Sequence, residues 1–389
     1  MPDAAGVLTE LNMSEEQAQT RVIAREYAFA ELAPQAAKID ADQKIPPQVW
    51  TRLAELKLMG VNIDATCGGL GFGTLCAATA VEELARVCAS TALSLSTHAF
   101  MCAAPITRFG SDAQRKKFLP QLSSGTAIGA FCMTEKDAGC DAGGIKTAAK
   151  QTTDKLKLNG VKKFVVNAAE AGLILVAAST DEKLGAAGIT LLVVEAGTPG
   201  VEVDTGNEKM GLRGAEWGEF TFKDAEIPLA NMIGAREKGF GIIMEAQLGG
   251  RIGMAAIAVG LATAALEAAV IQARTRKQFG KPIGTFQAVA NMIADMTAKV
   301  EAARLLMYRA ALRRDDGKSH VRESAVAKLV ATENCVQVCS DAVQIFGASG
   351  CEKPSPVERY YRSAKMLEIG EGTSQMLRLV ISRDVLGKL

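Results

Sequence analysis

The feature that most constrains the fold of this 389-residue chain is a change of period partway along it. Up to about Ser123 apolar residues recur at helical spacing. The pattern begins in SEEQAQTRVIAREYAFAELAPQAAKID, where Ser14 with Glu16 and Gln17 behind it makes an N-cap region, and restarts after Pro46-Pro47. The stretch CGGLGFG (67–73) punctuates this region before VEELARVCAS and DAQRKKFLPQL resume the helical pattern. Near Thr126 the texture turns to short β-rich runs bounded by Gly, Asn or Asp: KLKLNGVKKFVVN (155–167), LILVAAS (173–179), ITLLVVE (189–195), VEVD (201–204) and EFTF (219–222). From Phe240 onward long Ala- and Leu-rich segments at about 241–275, 285–315 and 320–346 are helical again, with shorter ones beyond Pro356. Strands that follow one another without intervening helices predict an antiparallel barrel or sandwich, and helices of such length predict a bundle. The expected class is α+β: an all-helical domain over 1–125, a β domain over 126–236 and a helical bundle over 237–389.

Composition narrows the chemistry. Against 44 basic residues stand 43 acidic ones, a formal net charge of +1, so the basic excess of a nonspecific nucleic-acid binder is missing and no nucleic-acid partner is expected. Only His98 and His320 are histidines, which argues against histidine-rich metal sites and a Ser-His-Asp machine; no metal is expected. The nine cysteines are odd in number with no C-x-x-C pair, and Cys335 and Cys339 fall on an apolar helical face, as core thiols in a reducing cytoplasm do. The N-terminus carries early acidic residues and no basic segment followed by an apolar run, and the uncharged apolar stretch Ile252 to Leu266 falls short of the roughly 18–20 residues of a membrane span. The expectation is a cytoplasmic protein without a membrane span, whose chemistry comes from carboxylates, hydroxyls or a cofactor.

One segment stands out: ERYYRSAKMLEIGEGTSQMLRLVISRD (358–384), with an acid between two glycines and just before a Thr-Ser pair. Together with FCMTEKDAGCD (131–141), RTRKQFGKPIGTFQ (274–287) and AVQIFGASG (342–350), it resembles the acyl-CoA dehydrogenase family over essentially the whole chain, four motifs standing in the family's order. The resemblance implies that family's architecture, with a C-terminal four-helix bundle, and an FAD-dependent conversion of an acyl-CoA thioester to the trans-2,3-enoyl thioester. It implies Glu371 as the base for the α-proton. Such a C–H is too weak an acid for an ordinary carboxylate unless burial raises the base and developing charge is stabilised. Taken alone, Glu371 would read as an acid favoured by a helix N-terminus. Some members of the family carry the base one position before an arginine that matches Arg251; that position is Gly250 here.

For the flavin, the resemblance implies Phe131, Met133, Thr134, Phe164 and Val166 along the ring, and Arg276, Phe279 and Gln287 from a neighbouring subunit. Arg276 suits a diphosphate. Gln344, Gly347, Thr373 and Gln375 complete the set. It further implies a homotetramer and electron transfer flavoprotein as electron acceptor. Cys140, Arg251, Gly370 and Gly372 fall on the substrate side. The sequence departs from the family pattern in several places. Val166 replaces a threonine whose hydroxyl usually reaches the flavin, which either retunes the flavin or is compensated by another donor. Cys140 replaces a serine near the CoA diphosphate, and a thiol is the weaker donor. Leu248 replaces an aspartate, and Gly370 stands where many members have tyrosine, widening the acyl pocket or only freeing the backbone. The segment 90–105 would form one pocket wall, with His98 as a packing histidine. Rival readings are an acyl carrier protein-linked dehydrogenase, an oxidase or reductase on the same fold, and a non-catalytic nucleic-acid-binding member.

Overall fold

The computed structural model describes residues 13–206, 208–353 and 355–387. The N-terminal stretch read above for targeting signals lies outside them up to residue 12. The first region holds helices α1 (Glu15–Tyr27), α2 (Ala36–Asp42), α3 (Pro47–Glu55), α4 (Gly73–Ala85), α5 (Ala89–Ser96), α6 (Ala104–Phe109) and α7 (Asp112–Ser123). Their starts follow from local chemistry. Ser14 accepts from the Gln17 N–H at 3.2 Å, Pro47 occupies the first turn of α3, and Ser111 with Gln114 closes a reciprocal capping box on α7. Between α5 and α6 the chain runs on through a π-helical turn, Thr97–Ala103.

The middle region contributes β1 (Ile128–Cys132), β2 (Ala148–Gln151), β3 (Lys155–Val166), β4 (Ala171–Ser179), β5 (Ile189–Glu195), β6 (Val201–Asp204), β7 (Trp217–Pro228) and β8 (Met232–Ile233), paired in the order β6-β7-β3-β2-β4-β5-β8 with β1 added to β4. The sheet is mixed rather than purely antiparallel, because β1 and β2 both run parallel to β4. The antiparallel expectation rested on the five runs read as strands, and neither β1 nor β2 was among them: IGAFC is small and AAKQ is short. Strand β4 explains its continuous apolar run. Leu173, Leu175 and Ala177 face a core shared with Ile106, Phe118 and Leu122 of the helices, while Ile174, Val176 and Ala178 face a second core with Leu158, Phe220 and Phe222 of the same sheet.

The last region is α8 (Gly239–Thr275), α9 (Gln287–Asp315), α10 (Val321–Phe346), α11 (Pro356–Leu367) and α12 (Ser374–Leu386), with a two-stranded hairpin, β9 (Lys277–Gln278) and β10 (Lys281–Pro282), between α8 and α9. Helices α8 to α11 pack on one another and α12 lies along α10. One hydrophobic core joins this bundle to the first region, combining Trp50, Leu53 and Leu84 with Ile257, Met296 and Val338. By length and composition α8 could cross a membrane, but 72% of its most apolar window is buried in the protein, so it is apolar all round as the central helix of the bundle.

Candidate active site

The acid singled out in the sequence sits between two helix ends. Helix α11 stops at Leu367, α12 is capped by the Thr373 side chain accepting from the Met376 N–H at 3.4 Å, and the segment between them turns through left-handed backbone at Glu371 (φ 54°) and Gly372 (φ 98°). Glycine takes that conformation freely; a glutamate there is strained and persists only because its surroundings hold it. Three contacts do so. Arg251 of α8, itself buried, donates from Nε to the Glu371 carbonyl at 3.4 Å. Lys328 of α10 donates from Nζ to the Glu368 carbonyl at 3.0 Å and the Gly372 carbonyl at 2.8 Å. Gly250 lets the carboxyl lie against α8, for a Cβ there would stand 3.0 Å from Glu371 Oε2 and 2.5 Å from Met101 Sδ. The glycine at the alternative base position is therefore the space that the Glu371 carboxyl uses.

Burial pushes the Glu371 carboxyl above its ordinary pKa, with Arg251 and then Lys328 pulling the other way. Among the described residues its carboxyl oxygens form no hydrogen bond and no ion pair, so its lone pairs remain available. A partly exposed, desolvated and unpaired carboxylate beside two cations is the arrangement of a base.

The segment 90–105, expected to form a pocket wall, packs against α8 near Glu371. Ser96 and Phe100 close on α8 so tightly that a Cβ on Gly253 would meet Ser96 Oγ at 2.1 Å, and Met101 reaches Gly250. On the other side, a Cβ on Gly370 would meet the Met254 methyl at 2.7 Å. The space freed by the missing side chain at 370 is filled by that methyl, so Gly370 does not by itself widen the pocket. His98 is a packing histidine: Nδ1 accepts from the Gly129 N–H at 3.0 Å, which leaves the Nε2–H for the Met59 carbonyl at 3.1 Å, and burial lowers its pKa to about 4.

The residues expected along the flavin ring continue from β1. Phe131, Met133 and Thr134 are each half-buried. The Met133 carbonyl accepts from the fully buried Lys162 Nζ at 2.9 Å, the Thr134 carbonyl accepts from the Lys163 N–H at 2.8 Å, and Gln247, one helical turn before Arg251, donates to Met133 Sδ at 3.6 Å. This last contact joins the segment after β1 to the part of α8 that carries Arg251. At the far end of β3, Phe164 has φ 58° and its ring is 59% exposed, set edge-on to Trp217 at 5.6 Å. Val166 is half-buried against the main core. Asn167, also left-handed, fixes the neighbourhood by donating to Ser94 and Gly129 carbonyls at 3.0 and 2.9 Å.

The remaining predicted residues lie elsewhere in the chain. Arg276 follows α8, and at 1.5 Å per residue it stands about 36 Å along that helix from Arg251. Gln344 is about 24 Å along α10 from Lys328. Helices α8 and α10 run the same way in the bundle, so Arg276, Phe279, Gln287, Gln344 and Gly347 lie toward its other end, all exposed, Phe279 at 92%. Gln375 is exposed on the first turn of α12, and Cys140 is exposed in the turn between β1 and β2. Sequence reasoning missed Lys328, Lys162, Gln247, Asn167 and Met254, since a lysine or methionine in a helix or strand carries no local sign of what it reaches.

These residues fit a flavin nucleotide. Two phenylalanine rings, Phe164 and Phe279, stand open on left-handed backbone, and Arg276 is an open cation for a diphosphate. The buried Trp217 indole N–H beside Phe164 has no acceptor among the described residues.

Three family profiles match the chain: acyl-CoA dehydrogenase N-terminal domain over residues 14–126, middle domain over 130–225 and C-terminal domain over 237–386. Acryloyl-CoA reductase (NADH) of Anaerotignum propionicum is 41% identical over 97% of this chain and 96% of its own length. Among solved structures, butyryl-CoA dehydrogenase of Megasphaera elsdenii superposes with a TM-score of 0.95 at 39% identity, covering 96% of this chain and 99% of that one. A chain described as the electron transferring flavoprotein of Acidaminococcus fermentans superposes with a TM-score of 0.96 at 40% identity, covering 97% and 99%.

Proposed function

The chain belongs to the acyl-CoA dehydrogenase family, whose members carry out FAD-dependent dehydrogenation of acyl-CoA thioesters, and we propose that Glu371 is the base that takes the α-proton of a short-chain acyl-CoA. The observation that carries the assignment is the Glu371 carboxyl itself, desolvated, free of partners and held in left-handed backbone between Arg251 and Lys328. The Glu371 carboxylate would take the proton from the α-carbon, and a bound FAD would supply the hydride acceptor for the β-hydrogen. Arg251 fixes the backbone of the base, and the packing of Met101, Met254 and Phe100 around Gly250, Gly253 and Gly370 keeps water from the acyl chain. Gly372, on the same turn, and Cys140, at the open turn, complete the substrate side, the second toward the CoA diphosphate.

Phe131, Met133, Thr134, Phe164 and Val166 would lie along the ring, with Thr373 and Gln375 near it. Arg276, Phe279, Gln287, Gln344 and Gly347, too far along their helices to reach the same chain's Glu371 region, would serve a neighbouring copy, which supports a homotetramer. The short acyl chain rests on the butyryl-CoA dehydrogenase likeness and on the close packing of Met101 and Met254 beside Glu371. Electron transfer flavoprotein as acceptor rests on the similarity to the Acidaminococcus chain, and a cytoplasmic setting on nine unpaired cysteines. The reductase of Anaerotignum, together with Val166 in place of a hydroxyl donor, favours the reverse direction as a second reading.

The test is Glu371→Gln in the FAD-loaded protein, titrated anaerobically with acyl-CoAs of increasing length. A yellow protein whose flavin bleaches about 10²–10⁴-fold more slowly than wild type is expected, with butyryl-CoA the fastest substrate of the wild type. Bleaching at the wild-type rate would remove Glu371 from the reaction. Because a base acts ionised and this carboxyl is raised by burial, the wild-type rate climbs with pH through a value above the ordinary carboxylate range.

A further inference from the structure

We propose that Lys328 is a positioning residue for the reaction: from α10 it clamps both ends of the segment 368–372 and so sets the place and charge of the Glu371 carboxyl. This rests on Glu371 being the base. Lys328 is 0% exposed, and its two hydrogen bonds go to the carbonyls of Glu368 and Gly372, which bracket Ile369, Gly370 and Glu371. The Glu368 carbonyl belongs to the end of α11, where carbonyls lack helical partners and the helix dipole is negative, so an ammonium is favoured there. Without the clamp, the left-handed glutamate would keep the long Arg251 contact at 3.4 Å and its packing on Gly250, but neither end of its segment would be tied to α10.

The charge of Lys328 is also placed to act. The charged groups that face it are Glu371, Arg251, Glu368 and Glu333. Glu368 is bound to Lys365 at 2.5 Å, and Glu333 to Arg378 at 2.7 and 2.8 Å. Glu371 alone among these acids has no partner, so it receives the field of the buried ammonium without being tied up by it. Burial pushes Lys328 down to about 8, which leaves it cationic at neutral pH. With Arg251, the cation opposes the rise that burial imposes on the Glu371 carboxyl.

The test uses the FAD-loaded Lys328→Met, Lys328→Gln and Lys328→Arg proteins. Three quantities are read: anaerobic bleaching by butyryl-CoA against pH, amide hydrogen exchange of residues 369–373, and thermal unfolding. For Lys328→Met we expect bleaching about 10²-fold slower, its acid limb moved to higher pH, and faster exchange confined to 369–373. Lys328→Gln keeps a donor without the charge; it should protect the segment better than Met while still raising the acid limb. Lys328→Arg should return the limb toward wild type. Lower thermal stability with wild-type bleaching and an unmoved limb would mean that Lys328 only stabilises the fold. Should the Met variant not fold, a wild-type acid limb in the Gln variant would overturn the proposal by itself. The Glu371→Gln protein separates this outcome from a wrong base: if it bleaches normally, the premise fails, whereas if it is inert and the Lys328 variants are normal, only the clamp fails.

Discussion

Two fully buried lysines pin backbone carbonyls on opposite sides of the site, and they are balanced in opposite ways. On the sheet side Lys162 holds the Met133 carbonyl and is paired at 2.8 Å with Glu135, which also accepts the Lys146 and Thr147 N–H groups at 2.7 and 2.9 Å. Burial lowers the ammonium and by itself would raise the carboxyl, but Lys162 and the surrounding donors hold Glu135 below the ordinary carboxylate range. On the bundle side Lys328 has only carbonyls. The difference separates two tasks. Where the strand end needs shape alone, the buried charge is cancelled on the spot. Where the proposed base is to stay unpaired, the buried ammonium pairs with no carboxylate, and of the acids that face it Glu371 is the one without a partner of its own.

The comparison breaks most visibly at Lys162. Lys162→Met leaves Glu135 buried without its cation and should cost about 3–5 kcal/mol of stability, measured by chemical unfolding, while the acid limb of flavin bleaching in the surviving protein stays where it was. A shifted limb would mean that Lys162 acts on the base as well, and the contrast with Lys328 would collapse. A smaller effect is expected from Gly250→Ala. The Met101 thioether can swing aside, so the fold holds, but the Glu371 carboxyl must move, and bleaching should slow roughly tenfold. An unchanged rate would show that the carboxyl does not need the surface of α8. The least effect falls on the exposed part of the turn between β1 and β2: Cys140→Ser supplies a better donor and should lower KM for acyl-CoA no more than about threefold, with kcat unchanged.

The sequence made the outline of the fold legible where one element buries a whole face. LILVAAS and ITLLVVE read as strands because both faces are covered, and the bundle helices begin and end within about two residues of their apolar periods. It failed at β1 and β2, whose parallel pairing with β4 is decided by partners distant in the chain rather than by their own small residues. In the site, Glu371 was singled out only through the family resemblance of the segment around it together with three other motifs, for alone it would read as an acid at a helix N-terminus. Lys328 was not, since in an Ala-rich helix it looks like any solvated lysine until the end of α11 arrives above it. Gly370 was read for the side chain it lacks, and only packing reveals that the Met254 methyl has taken the room.

The 3.0 Å between a Cβ at position 250 and Glu371 Oε2 also limits how such a site can evolve. A carboxylate added at position 250 would start beside the one on the loop, and two acids that close resist ionising together and titrate as a pair. A lineage that relocates its base must therefore pass through an ancestor with no working base, or through one whose two acids titrate as a unit and so work in a different pH range. The glycine beside Arg251 is, in that sense, the mark of a choice that single substitutions do not readily reverse.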